Sequence, residues 1–208
     1  MAMHDEKIGE FLGRLADRVP APGSGAAAAV HAALGAGLLG MVARYSTGER
    51  YAEHEVTIGR VTAEADELRD IALRLGDADA AAFAAVANAC QMPESTEAER
   101  AARSEAIAGT LADAIWPVAK LIGVAGMVVD LAGVLAGLGN RSVLCDVGAA
   151  VEAARAAAAT ARMNVEANLA GITDAQASLD MIAETGKAED VIARAEKVAA
   201  AVREQIRA

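Results

Sequence analysis

Three groups of residues in this 208-residue chain have the types and spacing to do chemistry. The first is Pro22-Gly23-Ser24-Gly25, which follows Pro20 and opens a long run of Ala, Gly and Leu. Two prolines forbid helix before Gly23, the glycines let the backbone approach a ligand closely, and Ser24 is placed to cap the first free amides of the helix that follows. That turn offers unpaired N–H groups to an anion or a carbonyl. The second is Asp146, within one turn of the start of a small-residue helix that follows Gly139-Asn140-Arg141-Ser142. It is either a proton handler or a plain complement to the helix dipole. The two roles oppose each other, since a helix N-terminus lowers a carboxyl pKa whereas a general acid near neutral pH needs it raised. The third is Asn164 and Asn168, four residues apart and therefore on one helix face. Five helical turns, about 27 Å of rise, separate Asp146 from Asn164. These amides either contact a distant part of an elongated ligand or bridge closely packed helices.

Weaker candidates surround these. Arg44 and Arg50, beside Tyr45 and Tyr51, are cations available to an anionic ligand, or ordinary solvated residues favourable to a helix C-terminus. His31, inside the Ala-rich run, is a proton shuttle or a hydrogen-bonded interface residue. Cys145 has no histidine near it in sequence to activate it and reads as a small core residue. Three scattered histidines and two cysteines at unrelated spacing give no metal site, and the thiols fit a reduced, cytoplasmic protein.

The elements that must position these groups are helical. Hydrophobic residues make up 54% of the chain but aromatics only 2%, so the core consists of Ala, Leu, Val and Ile on closely approached helices, and no strand-like alternation or fixed-period repeat is present. The expected fold is all-α, a single domain over residues 1–208 with a bundle of roughly seven to nine helices. Ile8, Phe11, Leu12, Leu15 and Val19 form one face of a first helix from about Asp5 to Pro20. Ala28, Ala32, Ala36 and Gly40, with Ala29, Ala33 and Gly37 one position along, form small-residue faces on the second. Gly76 is expected to end a third helix near Leu75 and Asp77 to Cys90 to make a fourth, with Phe83 and Val86 inward. Ser95 or Thr96 caps the next, Pro117 interrupts the chain, Gly139 ends a strongly apolar helix, and Thr173 or Asp174 caps a charged terminal region.

Two apolar stretches, Gly25 to Ala43 and Ala114 to Leu138, are long enough to span a bilayer. Ala and Gly contribute little transfer energy, however, and Lys120 and Asp130 interrupt the second, so no membrane partner is expected. The N-terminal residues Met1 to Lys7 lack the basic and apolar regions of a secretory signal. A net charge of −10 argues against nucleic acid as partner.

Taken in order, Phe11-Leu12, Pro20-Ala21-Pro22-Gly23, Ala28 to Leu38, Met41-Val42, Gly48, Asp79 with Ala82-Phe83, Pro93 with Thr96, Gly139-Asn140 with Asp146, and Asn164-Val165 with Asn168 resemble the formiminotetrahydrofolate cyclodeaminase and methenyltetrahydrofolate cyclohydrolase family. The resemblance covers about residues 8 to 170. It implies a homodimer, a folate small molecule as substrate, and chemistry needing no metal and no cofactor beyond that substrate. One reaction closes 5-formiminotetrahydrofolate to 5,10-methenyltetrahydrofolate with loss of ammonia; the other hydrolyses the methenyl bridge to 10-formyltetrahydrofolate. On this resemblance Asp146 handles a proton, Pro22, Gly23, Ser24, Gly25 and Asn140 position the pterin or the bridging carbon, Asn164 and Asn168 contact substrate, and Arg44, Arg50 or Arg141 meets the glutamate tail. The chain departs from the family pattern at Ser24, Ala26, Glu49 and Glu94, the last two standing where relatives carry cations. The alternative is a catalytically inactive dimeric helical module binding folate or a protein partner.

Overall fold

The computed structural model describes residues 2–169 and 175–208, and every regular element among them is helical. There are six α-helices: α1 (Ile8–Ala16), α2 (Ser24–Arg44), α3 (Glu55–Cys90), α4 (Glu97–Leu138), α5 (Leu144–Leu169) and α6 (Ala175–Arg207), with short 3-10 turns at Met3–Asp5, Glu49–His54 and Arg141–Val143. The all-α class stands, and the expected count of seven to nine is corrected to six. The region of Thr173 and Asp174, read as a cap, lies outside the described residues.

The count falls because two breakers do not break. Gly76 lies inside the continuous α3, buried, at a point where an added Cβ would sit 2.9 Å from the Cβ of Ala29. Its missing side chain lets α3 cross α2; it supplies no left-handed cap. Pro117 sits inside α4. The carbonyl it leaves without a helical partner belongs to Asp113, an exposed residue, so water can satisfy it. The start of α4 follows expectation: Thr96 is the N-cap in a full capping box, its hydroxyl accepting from Glu99 N–H at 3.2 Å while Glu99 accepts from Thr96 N–H at 2.8 Å.

At the centre, α2 packs against α3, α4 and α5, and α6 covers α4 and α5. Both small-residue stripes of α2 are used: Ala28, Ala32 and Ala36 are fully buried, as are Ala29 and the Leu39–Val42–Ala43 end. α2 and α5 approach closely at Gly35, where a Cβ would stand 2.9 Å from the carbonyl oxygen of Ala150. Among the described residues, the two helices long and apolar enough to cross a membrane, α2 and part of α4, are those at the core, with 61% and 56% of their most apolar windows buried inside the protein.

One face departs from expectation. On α1 only Phe11 is buried; Ile8 is 76% exposed, Leu12 53% and Val19 43%, and the helix stops at Ala16. The amphipathic pattern is present, but the described residues of this chain do not cover its apolar side.

Candidate active site

The chain direction of α2 sets two separate ends of the molecule. Its first turn meets the last turns of α5, since Asn164 Nδ2 donates to Ser24 Oγ at 2.8 Å. Its last turn meets the α4–α5 connection, since Asn140 N–H donates to Ser46 Oγ at 2.8 Å and Asn140 Nδ2 to the Tyr45 carbonyl at 2.9 Å. A 21-residue helix separates these ends by about 30 Å.

At the first end lies a cavity of about 380 Å³, within the range of small-ligand sites. Gly23, Ser24 and Gly25 form one wall and Asn164 and Asn168 another, with Leu111 and Ala114 of α4 closing a third side. The amides are joined to each other, Asn168 Nδ2 donating to the side-chain oxygen of Asn164 at 3.1 Å and to its carbonyl at 2.8 Å. The sequence-predicted glycine turn and asparagines thus converge on one space. Pro22 is buried behind the turn and does not line it.

Two further residues complete the cavity, and one corrects an expectation, since Phe83 does not face inward as a core residue. Phe83, one of only two phenylalanines in the chain, is 50% exposed at its edge beside Met163, and both are apolar surfaces open to a ligand rather than core. Asp79, one turn earlier on α3, projects over the start of α2. The N-cap there is Gly23, with no side-chain cap, and Ser24 is the first helical residue with its hydroxyl turned to Asn164. Asp79 takes the capping role expected of Ser24, accepting from the Ala26 N–H across 53 positions of chain. Gly25 makes this possible, because a Cβ at that position would overlap the Asp79 carboxyl group. Burial in this small, largely apolar space pushes the Asp79 carboxyl up to about 6, against the lowering effect of the Ala26 amide. Among the described residues, no other ionisable side chain lines the cavity.

The other predicted residues lie at the far end. Asp146 is half-buried in the first turn of α5, with Cys145 Sγ 3.8 Å from its Oδ2, and the protomer does not bring it to the glycine turn. Asn140 is saturated by structure: besides its bonds to α2, its Oδ1 accepts from Ser142 N–H and Oγ. Arg44 is held by Asp66, Nη2 to Oδ2 at 2.5 Å, which raises its pKa further. Arg50 lies 5.7 Å from the Tyr51 ring centroid, and Arg141 donates to the Gln205 carbonyl at 3.3 Å. A second cavity of about 580 Å³ at this end is lined by Arg44, Glu49, Tyr51 and Glu55 among others, so its cation is accompanied by carboxylates. Glu94 is not at that end but on the α3–α4 turn, beyond the Val86 end of α3, where it pairs with Arg103 at 2.8 Å.

Residues 7–187 match the family model described as formiminotransferase-cyclodeaminase. The chain is 36% identical over 171 residues to a methenyltetrahydrofolate cyclohydrolase of Methylorubrum extorquens, with 82% of each chain covered. It is 34% identical over 171 residues to the formimidoyltransferase-cyclodeaminase of Rattus norvegicus, of which it spans 32%. The solved formiminotetrahydrofolate cyclodeaminase of Thermotoga maritima superposes with a TM-score of 0.82 at 26% identity, covering 97% of this chain and 96% of that one.

Proposed function

Because the chain belongs to the formiminotransferase-cyclodeaminase family, we propose that it is a folate one-carbon enzyme. It acts on 5-formiminotetrahydrofolate, on 5,10-methenyltetrahydrofolate, or on both, at the cavity beside the first turn of α2. The observation that carries this placement is the convergence there of the glycine turn, the linked asparagines and the Asp79 carboxyl group. Both reactions pass through a tetrahedral carbon between nitrogens, so the protein must hold the ring system, orient the one-carbon unit and move a proton. Phe83 and Met163 offer apolar surface to a flat heterocycle, and Asn164 and Asn168 offer amide donors and acceptors to its edge. Neither reaction needs a metal or further cofactor, because the substrate itself carries the electrophilic carbon.

The test follows the absorbance of 5,10-methenyltetrahydrofolate and, separately, ammonia release from 5-formiminotetrahydrofolate, each with and without protein. Acceleration of either supports the reading and names the reaction. Binding without acceleration of either would favour a non-catalytic folate-binding module.

The working form is a homodimer. The uncovered apolar side of α1, with Ile8 and Leu12 exposed, supports this, as does the 30 Å that separates the first cavity from Arg44, Arg50 and Arg141. A tail role for those arginines requires a ligand that spans that distance or a second protomer that brings their end alongside. Sedimentation equilibrium is expected to give twice the mass of the chain, and Leu12→Asp to shift it toward the monomer; an unchanged dimer in the variant places the interface elsewhere. The free thiols of Cys90 and Cys145 suit a reducing cytoplasm. Core burial of the two most apolar helices and the net charge of −10 both favour a protein that engages neither membrane nor nucleic acid.

A further inference from the structure

We propose that Arg18 receives the anionic glutamate tail of the folate at the mouth of the cavity beside the first turn of α2, in place of Arg44, Arg50 and Arg141. The proposal rests on the folate reading and deepens it by naming a specificity residue. It begins with a mismatch of charge. A tetrahydrofolate ends in a glutamate whose carboxylates are ionised at neutral pH. The chain carries a net charge of −10, and its cavity already holds the Asp79 carboxyl group. An anionic tail settles in such a field only where a local cation offsets it.

The segments that line the cavity are poor in free cations. α3 has no Lys or Arg from Gly76 to its end at Cys90, and α2 has none in its first two turns. On α4, Arg100 donates to the carbonyls of Glu94 and Ser95, while Arg103 donates to that of Cys90 and pairs with Glu94. On α5, Arg162 is shared by Glu166 and Glu189 at 2.6 and 3.1 Å. Toward the N-terminus, Arg14 pairs with Glu6 at 3.1 Å.

Arg18 is different. It is exposed and stands two positions before Pro20, which with Ala21 forms part of the cavity wall. Two residues of chain span at most about 7 Å, and an arginine side chain has comparable reach, so the guanidinium commands the opening. Among the described residues its side chain has no ion pair and no hydrogen bond. The neighbouring acid, Asp17, accepts from the Arg18 backbone N–H at 2.8 Å instead. Pro20 and Pro22, each fixed in φ, limit the ways this segment can move away from α2. In the substrate, only a benzoyl ring and an amide bond separate nitrogen-10 from the tail. That length suits a cation at the lip of the cavity, whereas Arg44, Arg50 and Arg141 stand at the other end of α2, about 30 Å away. A guanidinium takes a carboxylate through two parallel N–H bonds, so Arg18 orients the tail as well as attracting it.

The experiment measures binding of 5-formyltetrahydrofolate and of its dimethyl ester, in which both tail carboxylates are uncharged, to the parent, Arg18→Gln and Arg18→Lys at low and high salt. KM and kcat are measured alongside for whichever folate the parent turns over. Arg18→Gln is expected to bind the diacid about 3–10-fold more weakly at low salt, with the difference shrinking at high salt. KM is expected to rise in step and kcat to change less than KM. The diester is expected to bind parent and variant alike, and Arg18→Lys to recover most of the lost affinity. Parent-like binding of the diacid by Arg18→Gln overturns the proposal. So does an equal loss for diacid and diester, which would mean that Arg18 shapes the lip without reading charge. A loss in Arg44→Gln with none in Arg18→Gln also overturns it and moves the tail to the far end of α2. A parent protein that neither binds nor turns over any of these folates is a different result, and sinks the functional reading and this assignment with it.

Discussion

Gly25→Ala is expected to lower turnover by about 100-fold while leaving the melting temperature within a few degrees of the parent. The reason lies in which atom must give way. A methyl group at position 25 would overlap the carboxyl group of Asp79, the end of a short side chain on a different helix, and nothing else stands as close. Alanine suits the first turn of a helix better than glycine does, by up to about 1 kcal/mol, so α2 itself is not penalised. The strain is relieved by swinging Asp79 out of its place, which breaks its bond to the Ala26 amide and removes its carboxyl group from the cavity. The substitution therefore separates positioning from folding. Turnover and thermal unfolding measured on the same preparation check it: a large loss of stability with proportionate loss of rate would mean the turn serves the fold alone. Full activity would mean Asp79 is not needed where it stands.

How much of this was legible in the sequence depends on how local each signal is. The start of α4 was readable because Thr96 and Glu99 satisfy each other within one turn, and the α2 faces because their period is the helix's own. Asn164 and Asn168 share a face for the same reason. What failed were residues whose meaning is set by another helix. Gly76 and Pro117 read as stops by intrinsic preference, yet Gly76 is where α3 crosses Ala29, and Pro117 costs one carbonyl bond at an exposed Asp113 in a helix held by packing on several neighbours. The capping of α2 was assigned to Ser24 because serine is the nearest oxygen in sequence; the structure uses Asp79 from α3 and spends Ser24 on Asn164. Asp79 enters the sequence reading only as one of the residues that carry the family resemblance, and the expected break at Gly76 hides that it continues the inward face of one long α3. The α1 face illustrates a further limit, since periodicity identifies an apolar side without saying what covers it.

Asp79 also predicts a pH-dependent stability difference that needs no substrate. The carboxyl group titrates near 3.9 in an unfolded chain and at about 6 in the folded protein, raised chiefly by burial. Below pH 4 it is protonated in both states and contributes no penalty. Between pH 4 and 6 the unfolded chain releases its proton first, so folding must hold a proton that the unfolded state has given up, and stability falls as pH rises. Above pH 6 both states are ionised and the full burial penalty applies. Two pKa units correspond to roughly 3 kcal/mol, which solvent screening of a half-buried group reduces to about 1–2 kcal/mol. Asp79→Asn, uncharged at every pH, is therefore expected to melt about 2–6 °C above the parent at pH 8 and level with it near pH 4. Thermal unfolding followed by circular dichroism at the two pH values decides this. A variant that is less stable than the parent at pH 8 would mean that the ionised carboxylate holds α2 and α3 together. A more stable but slower variant would instead mean that the fold carries an unfavourable buried charge at the place where the reaction uses it.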